Sequence, residues 1–347
     1  MSLPPSLLAL SGASAGAESP DSSAQWEAAR STAVVADASS LGVLTIAGPD
    51  SADFLQGQLS NDVKKLEPAQ GQWTTFNSPK GRMLATLFLV REPGGDGYVA
   101  IVARDILEPI RKRLSMFVLR AKVRIEAPDS VVLGIGGPRA ADVVKAAFGV
   151  APAGSSAQIH GDACVVHWPD GRFVVIVPAG EVGRVLDTLS AHATPAGAHV
   201  WSWLGVRAGV PTIAAATQDL FVAQTANWDA LVGLDFRKGC YTGQEIVART
   251  QHLGRLKERL FAFRSDAEPP ASGTRLYGAP FGDQAAGTVV NSAPDPDGGS
   301  RFLAVAQIQA ADTGAMTIGA PDGPAANREA LPYDVPDPTP PRGRVLR

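Results

Sequence analysis

The chemistry most open to this chain lies in one run, Lys238-Gly239-Cys240-Tyr241-Thr242-Gly243-Gln244-Glu245, followed by Ile246-Val247-Ala248-Arg249. A cysteine acts as nucleophile or metal ligand through its thiolate, and two features here favour that form. Lys238 stands two residues before the sulfur, and Thr242 with Glu245 reads as a capping box that opens a helix just beyond it. Tyr241 is a candidate stacking surface for a flat ligand, while Gly239 and Gly243 allow close backbone approach or positive φ. The spacing alone is equally compatible with a packed cysteine beside an ordinary helix cap.

The second cysteine, Cys164, falls in the alternating run Ala163-Cys164-Val165-Val166-His167 and reads as a packed core thiol. Two cysteines are too few for a disulfide scaffold and fit a reducing compartment. His160, His167, His192, His199 and His252 show no tight ligand spacing, so no metal site is expected. With 31 basic and 34 acidic residues the formal net charge is -3, which excludes a globally basic nucleic-acid surface; RNA contact would need a local patch. Arg111, Lys112, Arg113, Arg120, Lys122 and Arg124 are the candidate patch, for RNA phosphates or a polyglutamyl tail, although a solvated helix face and strand edge is the favoured reading. Gly134-Ile135-Gly136-Gly137-Pro138 is part of a dinucleotide-loop pattern, but Arg139 takes the place of the third glycine.

Stepping outward from these residues, 41–47 alternates as a strand, and Gly48-Pro49-Asp50 turns into a helix capped by Asp50 with Phe54, Leu55, Leu59 and Val63 on one face. Strand-like runs at 73–76, 83–90 and 98–102, separated by turn signals, predict an antiparallel meander, followed by a helix over 105–116 and a strand over 118–126. The order recurs as a strand at 131–135, a helix at 138–148, strands at 163–168 and 172–177 joined by Pro169-Asp170-Gly171, and a helix at 181–192. Trp201 and Trp203, two residues apart, are placed on one face of a strand, with core packing and ligand stacking both open. Beyond 255, short strands at 260–263, 287–291 and 302–307 between Gly- and Pro-rich connections predict a small β-barrel.

An α+β protein is therefore expected: a disordered tail over 1–25, α+β domains over 26–128 and 129–254, a C-terminal β-barrel over 255–335 and a tail over 336–347. Hydrophobic residues make up 45%, enough for a sizeable core, yet no apolar run reaches the roughly 18 residues of a membrane helix. Residues 1–25 lack a basic n-region, so a cytoplasmic protein is expected.

The cysteine run resembles the signature of YgfZ-type folate-binding proteins, Lys-Gly-Cys-Tyr-x-Gly-Gln-Glu leading into Val-Ala-Arg, with every signature position met up to Arg249. Similarity extends through 54–63, Lys80-Gly81-Arg82, Ala208-Gly209-Val210-Pro211 and Leu331-Pro332-Tyr333. This resemblance implies a three-domain fold like the glycine-cleavage aminomethyltransferase, with two α+β units and a barrel around a central hole that accepts tetrahydrofolate or a derivative. It implies a role in assembly or repair of [4Fe-4S] enzymes, including one that modifies tRNA, with Cys240 as the working residue and folate and those client enzymes as partners. It further implies Trp201 at the folate, for which Tyr241 is the other candidate contact by residue type; a second folate-associated tryptophan matches Leu41, and the transferase's pterin-gripping glutamate matches Arg207. The transferase's paired aspartates are replaced by Ala85 and Thr86, so aminomethyltransferase activity is not expected. A stable cluster ordinarily takes about four thiolates, which favours transient chemistry at Cys240. The alternative is a folate-dependent one-carbon transferase or demethylase using Asp62, Asp229 or Glu245 as its carboxylate.

Overall fold

The computed structural model describes residues 22–95, 97–252 and 256–336, so residues 1–21 and 337–347 of the expected tails lie outside the described residues. A helix occupies Ser22–Ser31, so it begins within the last four residues of the tail expected over 1–25. Tertiary contacts hold it: the Trp26 ring meets His199 and Trp203 at 5.1 and 5.5 Å, and Gln25 accepts a hydrogen bond from the Gly197 amide.

By contacts the chain forms two compact units that interleave in sequence. Among the described residues, one comprises those up to Leu55 with Val63–Gln72 and Leu87–Ala208; the other comprises Gln56–Asp62, Trp73–Thr86 and those from Gly209 onward. The expected segments 26–128, 129–254 and 255–335 are contiguous, whereas these units exchange short stretches.

The first unit holds a six-stranded sheet in the order Thr194–Ala196, Val34–Asp37, Ser130–Gly136, Phe173–Pro178, Ala163–His167, Ala157–His160. Alternation turns Val131, Leu133 and Ile135 to one face, where they pack with Val143, Val144, Val185 and Leu189 of the helices Ala140–Phe148 and Val182–Ser190. The Pro169-Asp170-Gly171 turn joins two paired strands as expected, with Phe173 opposite His167. Val34–Asp37, an unforeseen strand, pairs antiparallel with Ser130–Gly136 and parallel with Thr194–Ala196.

A five-stranded sheet runs Gly71–Asn77, Met83–Arg91, Tyr98–Ala103, Leu41–Ala47, Arg124–Glu126, which contains the expected meander. The strand expected over 118–126 shrinks to Arg124–Glu126, because only Arg124, Ile125 and Glu126 pair with Leu41–Ala47. Asp50 stands before the helix Ser51–Gln58, and its carboxylate accepts from the Lys122 amide at 2.7 Å.

The second unit contains a closed six-stranded barrel, Glu258–Ser265, Ser300–Gln307, Ala285–Pro294, Arg275–Tyr277, Ala315–Ile318, Ala325–Glu329, with the last strand pairing back to the first. Phe263 and Phe302 are cross-strand partners whose rings stack at 5.4 Å inside it. The fold is thus α+β with a C-terminal barrel.

Candidate functional site

The cysteine run lies wholly in the second unit, and its residues divide into buried anchors and exposed groups. Lys238 is 7% exposed; its ammonium donates to the carbonyl oxygens of Gln56 at 2.8 Å, Asn61 at 3.0 Å and Leu59. Gln56 belongs to the end of the helix Ser51–Gln58, where carbonyls lack intrahelical partners, so a buried cation is well matched to them. Tyr241 is 8% exposed with the Lys238 ammonium 4.9 Å from its ring centre. Burial pushes the Lys238 ammonium down to about 8 against the opposing pull of Asp62 and Asp235, and burial also raises the Tyr241 phenol.

Gly243 supplies the next anchor. Its φ is +80°, and a Cβ there would stand 2.4 Å from the Ser78 carbonyl oxygen, so the backbone passes where only glycine fits. Gly81 of the same turn faces Ile246 equally closely, at 2.6 Å from a built Cβ, and Ser78 Oγ donates to Asp219 at 2.7 Å to fix the turn. The helix consequently begins at Gln244, not at a Thr242 cap. The expected capping box does not form: among the described residues the Thr242 and Glu245 side chains have no hydrogen-bond partner, because close approach at Gly243 sets the helix start.

Between these anchors the chain is open. Gly239 and Cys240 are exposed, Cys240 is a free thiol, and a Cβ on Gly239 would meet nothing within 4 Å. Glu245 and Arg249 are exposed, and Gln244 is half-buried. The run therefore suspends one accessible sulfur from fixed points at Lys238, Tyr241 and Gly243. The cation expected to act on that sulfur is instead bound to carbonyl oxygens, which carry no residue-type signal in a sequence.

A strained element shares these supports. Val232, a β-branched residue 71% exposed, has φ +56°, a conformation costing on the order of 1–3 kcal/mol. Asn61 Nδ2 donates to the Val232 carbonyl at 2.8 Å and Ser60 Oγ to that of Gly233 at 2.7 Å. Neither Val232 nor these supports stood out by residue type.

The proposed folate contacts are placed differently. Trp201 and Trp203 lie in the helix Ala198–Arg207 of the first unit, not on a strand. Val200, Trp203 and Val206 recur every three residues and are all buried, the helical period that the tryptophan pair obscured. Trp201 is 4% exposed, with the Arg172 guanidinium 4.6 Å from its ring centre and a Cβ on Gly134 only 2.3 Å from its ring. Arg172 also faces Trp168 at 5.0 Å and is paired with Asp170 at 2.7 Å. Leu41 is buried in its strand, and Arg207 lies 4.8 Å over Trp203. Trp201 and Tyr241 thus have their faces covered by protein groups and do not fit as open platforms for a pterin.

The alternative carboxylates are largely occupied. Asp229 forms a buried pair with Arg259 at 2.7 Å, and Asp62 accepts from Gln56 at 3.0 Å, leaving Glu245 exposed. Ala85 and Thr86 are buried, with the Thr86 hydroxyl accepting from the Ile213 amide. Cys164, in the first unit, is partly buried, and burial raises its thiol to about 11. Among the described residues no three His, Cys, Asp or Glu side chains cluster to hold a metal.

Comparison with known proteins agrees with this architecture. Residues 18–157 match the GCVT N-terminal domain. A solved structure of glycine cleavage system aminomethyltransferase T from Bartonella henselae superposes with TM-score 0.73 over 94% of this chain and 95% of its own, at 15% identity, which shows the fold. The tRNA-modifying protein YgfZ of Klebsiella pneumoniae (strain 342) is 32% identical over 300 residues, 84% of this chain and 90% of that protein. Its counterpart in Escherichia coli O127:H6 is 33% identical over 228 residues, 64% of this chain and 69% of that one. On the cysteine run, the fold and this extended identity, the chain belongs to the YgfZ family.

Proposed function

We propose that this protein serves tRNA modification as a folate-binding accessory factor for the assembly or repair of [4Fe-4S] enzymes, with Cys240 as its working group. The observation that carries the reading is the exposed Cys240 sulfur between buried Lys238, buried Tyr241 and the wedged Gly243. A thiol held in this way can reach a metal or sulfur centre on another protein without a rearrangement of its own loop. With two cysteines in the chain, one thiolate acting briefly on a client's cluster is better matched than a resident cluster, which takes about four thiolates.

The match to the GCVT N-terminal domain supports a folate ligand such as tetrahydrofolate, held through groups other than the covered faces of Trp201 and Tyr241. Aminomethyl transfer is not part of the reading, because Ala85 and Thr86 provide no carboxylate. No helix among the described residues is long and apolar enough to cross a membrane, consistent with a cytoplasmic site of action.

Deletion of the gene is expected to depress several [4Fe-4S] enzymes and the tRNA modification that depends on one of them. Cys240→Ala should fail to restore them while accumulating to native levels; full rescue by that variant would overturn the reading. Calorimetric titration of tetrahydrofolate tests the ligand separately, and absence of saturable heat would remove it.

A further inference from the structure

The basic stretch follows the expected helix face and strand edge in part: Arg111, Lys112 and Arg113 lie on the helix Leu107–Ser115 and Arg124 on the edge strand Arg124–Glu126, while Arg120 and Lys122 lie in the connection between them. The helix Leu107–Ser115 packs against the strand Arg124–Glu126, so both ends of the connection 116–123 meet at one patch of surface of the first unit. The helix buries Leu107, Ile110 and Leu114, which leaves Lys112 exposed and Arg113 half-exposed. In the connection Met116 is 67% exposed, Phe117 41% and Leu119 88%, and Arg120 and Lys122 are exposed beside them.

The cations are not equivalent. Arg111 donates to the Glu108 carboxylate through both Nε and Nη2, with its shortest contact at 2.9 Å, and Arg124 reaches Glu126 at 3.4 Å. Lys112, Arg113, Arg120 and Lys122 form no ion pair among the described residues. Four cations outside any ion pair among the described residues, of which Lys112 acts at longer range on the Glu108 carboxylate, stand beside three exposed apolar side chains and make a local positive excess in a chain of net charge -3. A polyanion that also presents flat apolar faces complements both features, which is the chemistry of RNA with unstacked bases.

We propose that the 112–122 surface docks RNA, with Lys112, Arg113, Arg120 and Lys122 taking phosphates and Phe117, flanked by Met116 and Leu119, packing on an unstacked base. The inference rests on the tRNA-modification reading for its biological meaning and names the partner that this reading leaves open; it does not depend on Cys240.

The test is anisotropy of a labelled, unmodified tRNA transcript with the full-length protein across a salt series. Saturable binding is expected, with a log–log salt slope of about -3 for four phosphates contacted in a single-stranded region. Replacing Lys112, Arg113, Arg120 and Lys122 together by alanine should weaken binding by about tenfold or more at low salt and flatten the slope. Phe117→Ala should weaken binding by about fivefold or more with the slope retained, and Arg184→Ala, an exposed cation elsewhere in the same unit, should change neither. Thermal melts establish that each variant is folded. Absence of tRNA binding, an unaltered slope in the fourfold variant, or binding to phosphatidylglycerol vesicles in place of tRNA would overturn the proposal. The parent reading fails separately: a deletion strain with normal tRNA modification removes it, whereas a deficient strain together with no tRNA binding removes only the docking surface.

Discussion

Two regions of this molecule place a cation over an aromatic ring with nearly the same geometry: Lys238 lies 4.9 Å from the Tyr241 ring centre, and Arg172 lies 4.6 Å from that of Trp201. In the first unit the pair is closed, because Asp170 neutralises Arg172, Trp168 faces its guanidinium, and Gly134 abuts the Trp201 ring. In the second, the same kind of contact is an anchor from which Gly239 and Cys240 emerge into solvent. A buried cation and aromatic are thus not themselves a ligand site. What distinguishes the functional candidate is the free thiol they leave exposed.

The largest test of that contrast is Arg172→Ala. It strips Asp170, whose side chain is 12% exposed, of its partner and should cost about 3–5 kcal/mol in urea denaturation. A loss below about 1 kcal/mol would class the pair with surface salt bridges and reopen the Trp201 face to a ligand. In the cysteine run, Gly243→Ala adds a Cβ against Ser78 at positive φ and should cost about 2 kcal/mol or more, whereas Gly239→Ala should fall within about 0.5 kcal/mol of native. Equal effects of the two substitutions would show that the loop is not held as described.

Lys238→Met removes a donor to three carbonyls and should cost roughly 1–3 kcal/mol at neutral pH. Its pH dependence is more specific. Burial lowers the Lys238 ammonium from 10.5 to about 8, so across that window the unfolded chain retains a proton that the folded chain has released. The contribution of Lys238 to stability therefore rises with pH through the window, and the native protein should gain on Lys238→Met between about pH 8 and 10.5. A gap that narrows in that range would contradict the burial. The smallest effect is kinetic: iodoacetamide should modify exposed Cys240 well before Cys164, whose thiol is raised to about 11, and comparable rates would remove the asymmetry between the regions.

Much of the architecture was legible locally. Alternation marked the strand Leu41–Ala47 and the meander, Pro169-Asp170-Gly171 marked its hairpin, and short strands between Gly- and Pro-rich connections marked the barrel. Each depends on residues a few positions apart, where side-chain periodicity and turn preference act directly. The Cys240 run was likewise found by residue type. Its local geometry was not, because Thr242 and Glu245 satisfied a capping pattern that the wedged Gly243 overrides.

Sequence by itself determined that this is an α+β protein with a C-terminal barrel and a cysteine run of YgfZ type. Only the tertiary structure decided that Trp201 is a helical core residue, that Val34–Asp37 joins the six-stranded sheet, and that Lys238 grips carbonyls instead of the sulfur. The reason is physical: a backbone carbonyl is the same acceptor in every residue, and a close approach between distant segments leaves no periodicity. Such contacts become visible when the chain brings Gln56, Leu59 and Asn61 around one buried ammonium.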